Sequence, residues 1–256
     1  MGSRLRGNDE WAAGQVAPRR VRLLSMTSAT AATATPFRVA TPADRAQWSS
    51  TEPATRTAMD TTIPLRCRCG TVKGELDARR AYTRATCYCK DCRAYARFLG
   101  VPGVLDAAGG TDVVPAAPAA VRLTAGTEHV TCMSLSPKGI LRWYAACCRT
   151  PLGNTPRDPK LPYVGLVTAC FDAPPQTVDA AFGPRDRIVL NTQSATAPVR
   201  ATPLGFLAGG LRILAGILRA KLRRERATSF FDAAGRPLRE PDVISRETRT
   251  ALERAG

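Results

Sequence analysis

Between residues 64 and 92 the chain reads Pro64-Leu-Arg-Cys-Arg-Cys-Gly70 and, further on, Ala85-Thr-Cys-Tyr-Cys-Lys-Asp-Cys92. The first stretch is short, mixes apolar and polar residues and ends at a glycine, a pattern typical of a strand that enters a tight turn. Val72-Lys-Gly-Glu-Leu76 then has the character of the returning strand, and residues 85–89 that of a third strand. The segment therefore predicts short strands whose ends carry closely spaced cysteines.

The chain that follows continues in the same style. Further strands are predicted at residues 121–124, 129–135 and 140–144, with a turn at residues 137–139. Residues 90–98 predict one or two helical turns, and residues 109–120, with their Gly and Pro, predict a loop. The fold class predicted is mainly β, with short antiparallel strands.

The cysteines are clustered rather than spread. They are Cys67, Cys69, Cys87, Cys89, Cys92, Cys132, Cys147, Cys148 and Cys170. A disulfide framework favours an even number of cysteines and an export signal, and the N-terminal residues show no convincing signal. We therefore expect thiols in a reducing, cytoplasmic compartment, with zinc binding as their leading use.

Two spacings carry this expectation. Cys67 and Cys69 precede Gly70, whose conformational freedom allows a sharp turn that aims both sulfurs at one ion. Cys87-x-Cys89-x-x-Cys92 supplies three sulfurs within six residues and predicts a site with an open fourth position, which is typical of catalytic zinc. A fourth ligand from elsewhere in the chain, or buried free cysteines without metal, are the alternatives.

At these residues the chain resembles the family of glutathione-dependent formaldehyde-activating enzyme and centromere protein V. The matching motifs are Cys67-x-Cys69-Gly70-x-Val72, Cys87-x-Cys89-x-x-Cys92-Arg93, Arg142-Trp143 and Cys148-x-Thr150-Pro151-Leu152. The resemblance implies a β-tent fold with two Zn²⁺ ions. One would be structural, held by the first Cys-x-Cys and a late cysteine pair. The other would be catalytic, held by Cys87, Cys89 and Cys92, in a carbon–sulfur lyase that acts on a glutathione adduct of formaldehyde.

The late cysteine motif departs from the family pattern, which is Cys-x-x-Cys-Gly-Thr-Pro-Leu. Here the chain reads Ala145-Ala-Cys-Cys-Arg-Thr-Pro-Leu152. Neighbouring residues on a strand point to opposite faces, so Cys147 and Cys148 reach one zinc only through a turn. Otherwise Cys170 or Cys132 supplies the fourth sulfur, or the structural site has three thiolates. Arg149 replaces the glycine and needs another backbone conformation if that glycine has a positive φ.

Basic residues near the second motif are candidates for substrate binding. Lys90 and Arg93, with Arg84 and Arg97, could neutralise the carboxylates of a glutathione-like ligand, or form a solvated basic face. His129 could act as an acid or base, although a lone histidine on a strand is more often structural. The expected partner is a small-molecule thiol or aldehyde.

The charge of the chain leaves two other classes of function open. The formal net charge is +16, but it is spread along the sequence. Nucleic-acid binding is therefore an unfavoured alternative, because a nucleic-acid footprint is normally clustered on one face. The second alternative is a non-catalytic zinc-binding module for protein partners. A homo-oligomer is a further possible form of the protein.

Residues 203–226 have a different pattern. Leucines at positions 204, 207, 211, 214, 218 and 222 follow the period of an amphipathic helix, and basic residues gather at its end. The favoured prediction is a helix that packs on the β domain or on a second subunit. A helix on a membrane surface is the second prediction. Arg212 interrupts the apolar run, and we expect the helix to be too short and too charged to span a bilayer.

The predicted organisation has three parts. Residues 1–58, rich in Ala, Thr, Ser, Arg and Pro, are expected to be a disordered leader. Translation that starts at Met59 or Met26, or an organelle transit peptide, would account for such a leader. Residues 59–200 form the zinc-binding β domain, and residues 201–256 form the amphipathic helix and tail.

Overall fold

The computed structural model of the protein describes residues 61–225 and 229–254. The predicted leader, residues 1–58, lies outside the described residues together with its alternative starts. Within the described ranges the elements are mostly short strands. The strands are β1 Thr62–Arg66, β2 Lys73–Asp77, β3 Ala85–Cys87, β4 Thr111–Ala116, β5 Val121–Ala125, β6 Val130–Ser134, β7 Leu141–Ala145, β8 Pro151–Thr155, β9 Val164–Val167, β10 Val189–Leu190 and β11 Asp242–Val243. The helices are α1 Lys90–Leu99, α2 Pro175–Phe182, α3 Pro203–Leu222 and α4 Arg246–Arg254.

The strands form two sheets. The smaller sheet has the order β1-β2-β5, and the larger has the order β10-β3-β4-β9-β8-β7-β6-β11. All pairs are antiparallel except the two edge pairs, β10 with β3 and β11 with β6. The prediction of a mainly-β fold with short antiparallel strands and a C-terminal helix is confirmed.

The main hydrophobic core collects side chains from both sheets. Ile63 and Leu76 come from the smaller sheet, and Val114 and Leu166 from the larger one. Trp143 on β7 is fully buried, and its indole Nε1 donates a hydrogen bond to the Thr155 hydroxyl at 2.9 Å. The polar atom of the largest core side chain is thus satisfied, as burial requires.

The segment after α3 completes this core. Phe230 and Phe231 pack on Trp143, with ring centroids 5.1 and 6.0 Å apart. Further on, β11 adds to the edge of the large sheet and α4 packs against α1. Residues of the predicted tail therefore cover the β domain, while the domain boundaries at 58/59 and 200/201 stay predictions.

The predicted loop at residues 109–120 is wrong. This stretch contains β4, which lies inside the large sheet between β3 and β9 and is buried along its whole length. A strand buried on both faces lacks the alternation that marks a half-buried strand. Pro115 added to the signal for a loop, yet it pairs with Gly165 of β9.

The predicted C-terminal helix is present as α3, and it ends at Leu222 rather than at residue 226. By length and composition α3 is sufficient to cross a membrane, because it has 20 residues and its Leu, Ile, Phe and Ala residues keep the mean hydropathy of an 18-residue window at 1.3. The expectation that Arg212 makes the helix too short and too charged is wrong by these two criteria. Length and composition alone are weak evidence for a span.

Candidate metal centre

Four cysteine sulfurs, two from each of two distant turns, meet at one point. The sulfurs of Cys67, Cys69, Cys147 and Cys148 lie within 4.8 Å of one another. Individual Sγ–Sγ distances are 3.4 Å for Cys67–Cys69, 3.3 Å for Cys69–Cys147 and 3.9 Å for Cys67–Cys147. Four thiolates around tetrahedral zinc, with Zn–S bonds of about 2.3 Å, lie roughly 3.8 Å apart. We call this group the four-sulfur cluster.

The first turn of the cluster is built by the sequence after β1. The Gly70 amide donates to the Cys67 carbonyl at 2.8 Å, and Gly70 has a φ of 80° that favours glycine. The Val72 amide donates to the Cys67 sulfur at 3.2 Å. Amide donation to sulfur stabilises a thiolate, as at other cysteine-ligand sites. The turn predicted at Gly70 is therefore present, and it directs both sulfurs to the same side.

The second turn joins β7 to β8 and brings in Cys147. Ala145 is buried at the end of β7, where the resembling family has a cysteine. The chain then turns through residues 146–148, and the Arg149 amide donates to the Ala145 carbonyl at 2.7 Å. Of the three alternatives left open by the sequence, the structure has the turn that places Cys147 and Cys148 together.

Cys132 and Cys170 lie outside both cysteine clusters. The Cys132 thiol donates to the Arg239 carbonyl at 3.4 Å, and the Cys170 thiol donates to the Val167 carbonyl at 3.2 Å. Burial raises the pKa of Cys132 to about 11 and that of Cys170 to about 12. Both are therefore buried thiols that remain protonated at neutral pH.

Arg149 adopts a positive φ of 58°, a backbone conformation that is strained for residues other than glycine. Its side chain offsets that strain by anchoring the turn to the C-terminal end of α1. Nε donates to the Leu99 carbonyl at 2.8 Å, Nη2 donates to the Phe98 carbonyl, and the guanidinium lies 5.0 Å from the centre of the Phe98 ring. A cation at a helix C-terminus is also favoured by the helix dipole.

Two substitutions at Arg149 should separate these effects. We expect Arg149→Ala to lower the free energy of unfolding by about 2 kcal/mol, since it loses the anchor and keeps the positive φ. Arg149→Gly should be about 1 kcal/mol more stable than Arg149→Ala, because glycine removes the strain. Urea unfolding of the purified protein measures both values. Equal stability of the two variants would show that the backbone relaxes without glycine.

Thr150, which sequence reasoning identified only as part of a motif, has a direct role in this cluster. Its hydroxyl oxygen accepts the Arg68 amide at 3.0 Å and lies 3.0 Å from the Cys148 sulfur, so it links the two turns. The Cys69 sulfur lies 3.2 Å from the hydroxyl oxygen of Thr71. Hydrogen bonding from Thr71 lowers the pKa of Cys69 to about 6, so the cluster already favours one thiolate.

The second group is the three-sulfur cluster, formed by Cys87, Cys89 and Cys92. Its three sulfurs also lie within 4.8 Å of one another. Cys87 ends β3, and Cys89 caps the N-terminus of α1, where its sulfur accepts the Cys92 amide at 3.3 Å. The positive end of the helix dipole therefore faces the cluster and favours anionic sulfur. Cys87 is buried, whereas Cys89 and Cys92 are partly exposed.

The three thiols of this cluster differ in how readily they ionise. Hydrogen bonds from the Cys89 and Cys92 thiols lower the pKa of Cys87 to about 2. Hydrogen bonding to that Cys87 sulfur, which favours the protonated form, raises the pKa of Cys92 well above its usual range. Without a cation, one thiolate thus excludes the others, and a dication would allow all three to ionise.

Residues from other strands complete the surroundings of the three-sulfur cluster. The Asn191 amide nitrogen donates to the Cys87 sulfur at 3.5 Å, since β10 pairs with β3 and delivers Asn191 there. The buried guanidinium of Arg142 lies 3.9 Å from Asp91 and donates to Asn154 at 3.2 Å. Burial raises the pKa of Tyr163 to about 12, and the charges of Cys92 and Cys87 add to this effect.

Sequence reasoning identified Arg142 only as part of a motif and missed Asn191 and Tyr163. No local signal points to these two, because each comes from a different strand or strand end.

The predicted basic residues have mixed positions. Lys90 is exposed at the start of α1, and Arg93 is buried with its Nη1 donating to the Ser194 carbonyl at 2.6 Å. Arg84 is buried in ion pairs with two aspartates, and Arg97 donates to backbone carbonyls of α4. The Arg84 guanidinium is therefore engaged within the fold, while substrate binding by Lys90 and Arg93 stays a prediction.

His129 is partly exposed and lies 3.5 Å from the Glu128 carboxylate. Its imidazole belongs to neither cysteine cluster, as far as the described residues extend.

The fold and the two clusters define a mainly-β protein with two groups of cysteines that could hold metal ions. The chain belongs to a family of unknown function, DUF6151, whose model matches residues 59–238. No curated protein matches it.

Among solved structures, a crystal structure of a Rhodobacter sphaeroides protein, a structural genomics target, is 19% identical with a TM-score of 0.34. It covers 48% of this chain and 98% of its own. Likeness at this level assigns no function, and the resemblance to the formaldehyde-activating family stays a prediction.

Proposed function

We propose that this protein binds two zinc ions, one structural and one reactive, and that the reactive site joins a small thiol to an aldehyde. The observation that carries the proposal is the difference between the two clusters. One supplies four sulfurs and the other three. Four protein thiolates complete a tetrahedral zinc site, whereas three leave a position for an external ligand. Soft sulfur donors favour zinc over magnesium or calcium.

The three-sulfur cluster would hold the reactive ion through Cys87, Cys89 and Cys92. When bound there, zinc supplies a Lewis acid that binds a thiol as its thiolate and fixes its orientation. The partial exposure of Cys89 and Cys92 supports access from solvent. Lys90, exposed beside Cys89, and Arg93 are our candidates for holding the carboxylates of a glutathione-like thiol.

The reaction we propose is addition of a thiol across a carbonyl. The thiol sulfur forms a bond to the aldehyde carbon, the C=O π electrons move to oxygen, and that oxygen takes the proton that the thiol lost. The reverse reaction breaks the carbon–sulfur bond, which makes the enzyme a carbon–sulfur lyase. The buried Arg142 cation would stabilise the negative charge that develops in the site.

Support for this chemistry comes also from the resemblance to the glutathione-dependent formaldehyde-activating family. The motifs that carry the resemblance contain all seven cysteines of the two clusters except Cys147, which enters through the altered turn. Arg142 belongs to the same set of motifs. The proposal therefore assigns to the three-sulfur cluster the role that the family gives its Cys-x-Cys-x-x-Cys site.

Replacing Cys89 should abolish the activity without unfolding the protein. In Cys89→Ala we expect the rate of glutathione addition to formaldehyde, followed by NMR, to fall at least about 100-fold. Zinc content should drop from two equivalents to one. Cys132→Ala is the control, since it removes a buried thiol outside both clusters. If Cys89→Ala retains the activity of the control, the three-sulfur cluster is not the reactive site.

Zinc-edge X-ray absorption on Cys69→Ala, which should keep only the reactive zinc, tests the open position. We expect three sulfurs and one light atom per zinc, with a fourth sulfur after glutathione is added. A four-sulfur environment before addition would overturn the proposal.

One observation favours a non-catalytic zinc module instead. Three cavities of the described structure lie under α3, beside β5 and at the edge of the main core, and the three-sulfur cluster lines none of these three. A glutathione-sized ligand normally occupies a concave pocket. Wild-type protein that shows no change at the zinc edge when glutathione is added would support this second function.

A further inference from the structure

The large apolar side chains of α3 face away from the protein. The leucines at positions 204, 207, 211, 214, 218 and 222 are each between 57% and 83% exposed. A helix of a soluble domain normally turns its apolar stripe toward the core. The exposed leucines of α3 form a continuous stripe along 20 residues rather than a scatter of single residues, and such stripes mark interaction surfaces. We call this the leucine face.

The opposite face of α3 fixes this orientation. Gly209 packs on Ile188, where a Cβ would lie 2.7 Å from Cδ1, and Gly216 packs on Tyr82, where a Cβ would lie 2.2 Å from the ring. Gly205 lies against the Arg187 backbone in the same way, with 2.5 Å to its carbonyl oxygen. Only glycine allows such close approach. If α3 rotated to turn its leucines toward the domain, leucine side chains would clash where the glycines now pack. The packing of the glycine face therefore keeps the leucines exposed.

Positive charge flanks the leucine face and has no acidic counterpart on the helix. Residues 203–222 contain Arg212, Arg219 and Lys221 and no Asp or Glu. Arg212 and Arg219, with Arg223 just after the helix, line a groove of about 260 Å³ between α3 and the 79–82 segment. Their three guanidinium groups form no ion pair among the described residues. Glu225 also lines this groove but pairs with Arg80, so the groove still offers three cations to an anionic group beside an apolar surface.

We propose that α3 lies on an anionic lipid bilayer, with the leucine face in the acyl boundary and the arginines among the lipid phosphates. The combination of an apolar face and flanking cations is that of an interfacial helix. A second copy of this chain on the same face would bring the cations of one α3 helix, which itself has no Asp or Glu, against the same cations of the other. A membrane-spanning α3 would have to leave Ile188 and Tyr82, where its glycines fit.

Co-sedimentation of the full chain with lipid vesicles tests the proposal. We expect binding to vesicles of phosphatidylcholine mixed with phosphatidylglycerol, and at least about tenfold weaker binding to phosphatidylcholine alone. Binding should also weaken with salt, since the cations act through the surface potential. Equal binding to both vesicles, or no binding, would overturn the proposal.

Matched variants assign the binding to α3. Leu211→Gln with Leu218→Gln should weaken binding at least about tenfold, because both leucines lie in the leucine face. Leu161→Gln is the control, as it changes an exposed leucine away from α3. Arg212→Gln with Arg219→Gln should weaken binding to anionic vesicles about 25-fold, at roughly fivefold per cation. Lys138→Gln, in an exposed turn, should leave it unchanged.

Two other outcomes identify a different occupant. A lipid-free dimer in sedimentation velocity that the leucine variants dissociate would overturn the membrane proposal in favour of a second copy. Protein that stays with vesicles through alkaline carbonate and high salt would overturn the interfacial arrangement in favour of a span. All the exposed-residue variants should keep the wild-type melting temperature, which shows that a lost interaction is not unfolding.

Discussion

Cys69→Ala should lower the free energy of unfolding by about 3 kcal/mol or more and remove one zinc ion per chain. Cys69 is exposed, so the substitution deletes a sulfur donor without opening a cavity in the core. The four-sulfur cluster joins turns that are about 80 residues apart, and the loss of one donor releases both. A domain of this size has a total stability of only about 5–15 kcal/mol.

Denaturant unfolding and zinc analysis of purified protein measure this effect. Cys132→Ala is the matched control, since Cys132 is buried but lies outside both clusters and should leave two zinc ions bound. The loss of unfolding free energy in Cys69→Ala should exceed the loss in Cys132→Ala, even though the Cys69 substitution removes less buried surface. A variant that keeps both zinc ions and wild-type stability would show that Cys69 is not a ligand.

The second large effect concerns the buried ion pair between Arg84, just before β3, and Asp112 on β4. Arg84 and Asp112 have side chains only 7% and 8% exposed, and Nη2 of Arg84 lies 2.7 Å from Oδ2 of Asp112. Arg84 also bonds Asp179 at 2.6 Å, but that carboxylate is 48% exposed. Asp112→Ala leaves a buried cation with its inner partner missing, and we expect a loss of about 3–5 kcal/mol.

Asp179→Ala provides the comparison on the same guanidinium. Water can replace the exposed Asp179 carboxylate, so the loss should be about 1 kcal/mol or less. Both values come from urea unfolding of zinc-loaded protein at neutral pH. Similar losses for the two variants would contradict the argument that burial decides the strength of this pair.

The strand that contains Asp112, β4, shows why part of the fold could not be predicted from local sequence patterns. Residues 109–120 carry loop-forming Gly and Pro, yet β4 occupies the interior of the large sheet. The preference of such residues for loops is weak compared with burial between two neighbouring strands. By contrast, α1 and the turn at Gly70 depend on contacts within a few residues. The turn is present as predicted, and the predicted helix is present too, although its ten residues exceed the one or two turns expected.

The same distinction between local and long-range contacts applies to the two cysteine clusters. The spacing of Cys87, Cys89 and Cys92 is short enough that a strand end and a helix cap bring the three sulfurs together without help from the rest of the chain. The residues around these sulfurs could not be predicted from the sequence, because Asn191 and Tyr163 are brought there by strand pairing. The partner of Cys67 and Cys69 also stayed open, since several later cysteines could have met them.

The sequence by itself therefore determined three features of this protein. These are closely spaced thiols, short strands, and a helix with a leucine period. Only the tertiary structure decided that the displaced Cys147 joins Cys148 through the Arg149 turn. It also decided that the leucines of α3 face outward. The physical reason is that the leucine period shows which residues share one face of the helix. It does not show whether that face or the small-residue face packs on the domain. On α3, the close fit of glycines against Ile188 and Tyr82 selects the small-residue face.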